Sequence, residues 1–227
     1  MKKILMVLTS HSELVDTDSK TGVWLGEFTD PYYEFIDKGY EVTLASPKGG
    51  TPPVDPRSEL TENITSSNRR YKKDEKAQKA FEFTIKLEDI NPDDFDAVFY
   101  PGGHGPMGDL ATDEINANLI IDFYRHQKPI GAICHGPAAL LTAAIEEPEL
   151  LIDKEVTAFS NTEEKMVGLR DNIPFSLEDR LKTLGAKYSS ATLPFTPKVK
   201  VSGKLVTGQN PASAEKAAKE LIKLLEN

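Results

Sequence analysis

Thiols are almost absent from this sequence. Its 227 residues include one cysteine, Cys134, so no disulfide can form within the chain and nothing calls for an oxidising compartment. Long apolar runs are missing too: no stretch approaches the ~18 consecutive apolar residues that a membrane span needs. The N-terminal MKKILMVLTSHSE has two lysines and a brief apolar run without a small-residue cleavage site, and reads as a first strand rather than a secretion signal. Positive charge is scarce: 27 Lys and Arg face 36 Asp and Glu, and a net charge of −9 disfavours nucleic-acid backbones and anionic lipid surfaces. The one basic cluster, RRYKKDEK at 69–76, carries its own acids and reads as a solvated helix face. His11, His104, His126 and His135 are scattered without metal-ligand spacing. These absences point to a cytoplasmic protein with no nucleic-acid or membrane partner, no metal and no organic cofactor.

What is present alternates between two periods. KKILMVLT (2–9), YEVTLASP (40–47), FDAVFYPGG (95–103), KPIGAIC (128–134) and KEVTAFS (154–160) are short apolar runs of the kind buried on both faces of a parallel sheet. Between them, 24–39 is helical in spacing with Pro31 bending or interrupting it. The stretch 112–127 is an amphipathic helix capped by Thr112 or Asp113, 135–144 is helical, 174–190 holds a helix closed by Gly185, and 210–227 is a helix with Asn210 as N-cap and Pro211 at its first position. KVKVSGKLVTG (198–208) alternates around Ser-Gly as a hairpin does. The pattern predicts an α/β sandwich with a mostly parallel central sheet, formed as one domain over 1–227. A lid or edge insertion is expected over about 48–82, because 48–73 is rich in turn residues and without period.

The cysteine stands where a strand is predicted to meet a helix. Gly131, Cys134 and Gly136 form G-x-x-C-x-G, and small neighbours let a nucleophile stand on a sharp, strained turn above the sheet. A helix N-terminus just after Cys134 is expected to lower its thiol pKa. His135 adjoins it as a candidate proton acceptor, needing a carboxylate to orient its ring. AFSNTEEK (158–165) offers Glu163 and Glu164 past a predicted strand, at the same sheet edge. YPGGHGPMGDL (100–110) ends another strand with glycines around His104, where the backbone N–H of Gly103 could join that of His135 in an oxyanion hole. Gly102, His104 and Trp24 are grouped with them as substrate-binding candidates. Glu27 lies among apolar residues on the first helix, where a carboxyl is awkward unless protonated or hydrogen-bonded, and a raised pKa would make it a proton shuttle.

Taken together, AICHGPAAL, YPGGHGPMGDL, TGVWLGEFTDPYYEF and VTGQNPAS resemble the PfpI/ThiJ, or class I glutamine amidotransferase-like, superfamily along nearly the whole chain. The similarity is greatest to its branch of heat-shock chaperones and glutathione-independent glyoxalases, also called D-lactate dehydratases. The resemblance implies a flavodoxin-like three-layer sandwich and a triad of Cys134, His135 and Glu164, with Glu163 as the competing acid. It implies that Glu27 touches the cysteine sulfur and that the Gly103 and His135 N–H groups hold the oxyanion. Ala158 stands where the family usually has glycine, and the chain lacks the long N-terminal extension of the larger bacterial chaperones.

The implied activity is conversion of a 2-oxoaldehyde such as methylglyoxal to a 2-hydroxy acid, D-lactate, without glutathione, by a cofactor-independent lyase in carbonyl-stress defence. The implied partners are a small carbonyl substrate, a second copy in a homodimer, and unfolded proteins. The alternatives are a stress-induced holding chaperone with a redox-sensing cysteine, a protein deglycase, and a cysteine hydrolase or amidotransferase of the same superfamily.

Overall fold

Alternation along the short apolar strands decides the architecture. In the first of them, Ile4, Met6 and Leu8 join one hydrophobic cluster while Leu5 and Val7 join another, so both faces need cover. The computed structural model describes residues 1–227. In chain order they form β1 (Lys3–Val7), α1 (Leu25–Asp37), β2 (Glu41–Ser46), α2 (Ser66–Tyr71), α3 (Glu75–Glu82), β3 (Ile85–Lys86), β4 (Ala97–Tyr100), α4 (Glu114–Arg125), β5 (Ile130–Ile133), α5 (Leu140–Glu146), β6 (Glu155–Val156), α6 (Asn161–Met166), α7 (Leu177–Thr183), β7 (Lys187–Tyr188), β8 (Val199–Ser202), β9 (Leu205–Gly208) and α8 (Ala214–Glu226).

The central sheet has seven strands in the order β3-β2-β1-β4-β5-β9-β8, parallel except for the β8–β9 hairpin. Helices α1, α3 and α8 cover the Ile4/Met6 face, and α4, α5 and α7 cover the other. This is the mostly parallel three-layer sandwich. It turns the carboxyl ends of β1, β4 and β5 toward one edge, the place where such sheets bind ligands.

Several local expectations change. Pro31 does not interrupt α1. Its missing N–H falls opposite the Glu27 carbonyl, and the helix is held from outside by Thr29 Oγ1 to Asn68 (2.7 Å) and Tyr33 Oη to Asp74 (3.1 Å). The segment 154–160 is not a strand of the central sheet: only Glu155–Val156 is extended in a ladder, and it pairs with β7 in a separate two-stranded sheet. After Cys134 the chain makes a tight 3-10 turn, Gly136–Ala139, before α5 begins. Asn210 is the N-cap residue, and Pro211 the first, of a short 3-10 turn (Pro211–Ser213), but its side chain caps no backbone N–H: Oδ1 accepts from Ser213 Oγ, the amide donates to Glu163 and to the Thr196 carbonyl, and α8 starts only at Ala214. Asp113 is the cap of α4, accepting from Asn116 N–H.

The stretch 48–84, between β2 and β3, is built rather than irregular. It carries two short 3-10 turns, α2 and α3. Phe28 of α1 meets Tyr71 and Phe81 at ring distances of 5.8 and 5.1 Å, and residue 54 bridges to residue 23. Its inner end reaches the edge of the sheet where Cys134 lies.

Candidate active site

Cys134 leaves β5 with φ of +57°, a left-handed conformation that costs a non-glycine residue roughly 1–3 kcal/mol and persists only when its surroundings impose it. They do. Cys134 N–H donates to Gly208 O (2.9 Å), Phe159 N–H donates to Cys134 O (3.0 Å), and a Cβ on Gly136 would lie 2.3 Å from the Tyr100 carbonyl. Gly131 has a different use, making room on β5 for the Phe99 ring.

Burial pushes the Cys134 thiol well above its ordinary value, the adjoining Glu27 carboxyl adds to this, and the Gly103 N–H works against it. The expected lowering by a helix N-terminus is therefore reversed: the following segment is a 3-10 turn, and the sulfur is almost sealed. The thiol rests protonated, with its sulfur 3.4 Å from His135 Nδ1.

That nitrogen's state follows from what stands behind it. His135 Nε2 faces Glu164 Oε2 (2.8 Å), which can only accept, and so Nδ1 is the ring nitrogen left facing the thiol. The other oxygen of Glu164 accepts from His104 Nε2 (2.7 Å). Arg57 Nη2, which can only donate, lies 3.2 Å from His104 Nδ1 and sets the His104 tautomer. Asp55 in turn holds Arg57 Nε (2.9 Å) and Nη2 (2.5 Å) and accepts from Thr21.

The result is a chain of partners, Asp55, Arg57, His104, Glu164, His135, Cys134. Burial alone would raise the Glu164 pKa, but the two imidazoles outweigh it and hold the carboxyl well below the usual range. Burial, then the neighbouring His135, lowers His104 to about 4, so its ring is neutral. The His135 ring packs at a tilt against His104 (3.9 Å) and Phe159 (4.7 Å).

Glu163 points elsewhere. Its carboxylate takes Ser160 N–H and Oγ, Gln209 Nε2, Asn210 Nδ2 and Phe195 N–H, tying the start of α6 to the loops beside the cavity. Glu27 is fully buried, and burial raises its pKa to about 8, with hydrogen bonds to the Cys134 thiol and the Gly102 N–H only partly opposing the rise.

Gly102, grouped among the substrate-binding candidates, has its N–H engaged by Glu27 Oε2 at 2.8 Å, and a Cβ there would lie 2.6 Å from the same oxygen. The N–H groups of Gly103 and His135 make no backbone hydrogen bond. Gly103 has φ of +89°, and a Cβ on it would sit 2.1 Å from Gly22 O. Trp24, His104, Cys134 and His135 line a cavity of about 520 Å³, together with Phe159, Phe195 and, from the insertion, Arg57, Leu60 and Asn63.

Comparison with known proteins adds affiliation to this geometry: the pattern of the DJ-1/PfpI family matches residues 19–224. The chain belongs to the DJ-1/PfpI family. It is 30% identical to the glutathione-independent glyoxalase HSP31 of Saccharomyces cerevisiae, covering 100% of this chain and 99% of that protein. It is 29% identical to glyoxalase 3 of Candida albicans over the same shares. Among solved structures, the Rapid Encystment Protein 24 KDa of Francisella tularensis superposes with a TM-score of 0.94 at 42% identity, covering both chains completely. Glyoxalase III of Candida albicans superposes with a TM-score of 0.89 at 28% identity over 98% of this chain and 97% of that one.

In this DJ-1/PfpI chain one trio has the atom types of a metal site, His104, His135 and Glu164, with ligand atoms within 4.8 Å of one another. Both imidazole Nε2 atoms already face the two carboxylate oxygens, so the trio is satisfied by hydrogen bonds. Asp55 and Arg57 were outside the sequence reading. The only local sign of them was Asp-Pro-Arg in a turn-rich stretch, which is common in loops without chemistry.

Proposed function

We propose that this protein is a glutathione-independent glyoxalase that converts 2-oxoaldehydes such as methylglyoxal to 2-hydroxy acids. The reading is carried by the Sγ to His135 Nδ1 to Glu164 alignment at the floor of a cavity with two backbone N–H groups that have no backbone acceptor. Its substrate class is supported by the full-length relatives named as glyoxalases.

Cys134 passes its proton to His135 Nδ1 as sulfur attacks the aldehyde carbon, and the resulting oxyanion is held by the Gly103 and His135 N–H groups. His135 returns that proton to the oxygen, giving a neutral hemithioacetal. It then takes the C1 hydrogen as a proton, giving an enediolate; the C1 hydroxyl proton passes to the C2 oxygen, and His135 delivers the proton it holds to C2. A 2-hydroxy thioester results. Water, deprotonated by His135, breaks the carbon–sulfur bond, releasing the acid and restoring the thiol. One water is consumed and no redox partner is needed. Throughout, Glu164 keeps the His135 ring oriented and stabilises its imidazolium, while the buried Glu27 carboxyl stands beside the sulfur, its pKa raised to about 8 by burial.

A cytoplasmic homodimer belongs to the same reading, on the family resemblance and on a single cysteine held as a free thiol; size-exclusion chromatography with light scattering tests the dimer. The holding-chaperone alternative draws no support from 48–73, where Leu60 is the sole exposed large apolar side chain and lines the cavity. The deciding experiment is incubation of the protein with methylglyoxal in glutathione-free buffer, with lactate measured by D- and L-specific oxidation. D-lactate in step with methylglyoxal loss is expected, and no lactate of either hand would refute the assignment.

A further inference from the structure

The cavity over Cys134 has one permanent cation in its wall. No aspartate or glutamate lines it, His104 is neutral, and Arg57 enters from the insertion with its side chain 32% exposed. A guanidinium has five N–H donors. Asp55 takes Nε and Nη2, His104 takes the second Nη2 proton, and the Nη1 pair has no acceptor within the protein. Asp55 is fully buried and also accepts from the Arg57 N–H at 2.9 Å, so the fork is fixed before any ligand arrives. A pre-set, half-buried donor pair suits an anionic oxygen, since little side-chain freedom remains to be lost. Methylglyoxal, with a methyl group as its far end, offers nothing to such a donor and fills a small part of about 520 Å³.

We propose that Arg57 is a specificity-determining residue that selects 2-oxoaldehydes bearing a carboxylate or phosphate at the end remote from the aldehyde, with Nη1 taking the anionic oxygen. This rests on the glyoxalase reading and leaves the chemistry at the two reacting carbons unchanged.

The test compares 4,5-dioxopentanoate with its methyl ester, which differ in one charge, in the wild type, Arg57→Gln and Arg57→Lys. Wild type should favour the carboxylate by about tenfold or more in kcat/KM, mostly through KM. Arg57→Gln should bring the ratio near unity, and Arg57→Lys should keep part of it. Because the readout is a ratio of two substrates on one protein, any loss through His104 positioning cancels. Independently of any variant, high salt should erode the wild-type preference and spare ester turnover. Equal use of the two substrates by wild type, a preference retained in Arg57→Gln, or a salt-insensitive preference would overturn the proposal. If methylglyoxal is turned over without a carboxylate preference, the selectivity alone fails; if no 2-oxoaldehyde is turned over, the glyoxalase reading fails with it.

Discussion

Glu27 and His104 give stability opposite dependences on pH. Glu27 has a folded pKa near 8 against 4.5 in water, so folding favours its protonated form. That contribution is complete below pH 4.5 and is lost as pH rises through 8. His104 falls from 6.5 to about 4, so folding favours its neutral form, and its contribution is lost as pH falls from 6.5 through 4. Glu27→Gln keeps the shape without the titration. Thermal melts from pH 6 to 8.5 should show wild type losing stability with rising pH and the variant losing less; equal slopes would contradict a protonated buried carboxyl. The two neighbouring glutamates should separate by kind of damage. Glu164→Gln should lower kcat about a hundredfold or more with little change in melting temperature. Glu163→Gln turns an amide toward five donors and should lower the melting temperature by several degrees while sparing more of kcat. A greater kcat loss from Glu163→Gln would reverse the assignment of the acid.

Among the elements, α6 and the turns around β4 and β5 decide whether these side chains meet. Ser160 and Glu163 form a capping box at the start of α6, and the helix places Glu164 one residue beyond the capping glutamate. Ser160→Ala should cost about 1–2 kcal/mol in denaturant unfolding, while Glu164 retains its two imidazole partners. Gly103→Ala meets both a positive φ and the Gly22 carbonyl, so it should lower kcat even where the variant stays folded. The two acids of TEEK were indistinguishable in the sequence because both follow a capping serine. Only the pitch of α6 and the Phe159 N–H to Cys134 O bond separate them. The strand-to-turn junctions at Gly103 and Cys134 were legible, since an apolar run ending in small residues has few other uses.

At the scale of the molecule, the mostly parallel sheet was legible because its inner strands are apolar on both faces. The short β6 was misplaced: an apolar run looks the same whether it pairs in the main sheet or beside it. What escaped was the long-range part of the site. Arg57 reaches His104 from 47 residues away, through a stretch whose order comes from packing on α1 rather than from its own periodicity. The residue that all of this surrounds is Cys134, and the most direct measurement is glutathione-free turnover of methylglyoxal by wild type and Cys134→Ala side by side. Lactate formation should fall at least about a thousandfold in the variant. A variant that makes lactate at the wild-type rate would mean that the sulfur is not the nucleophile.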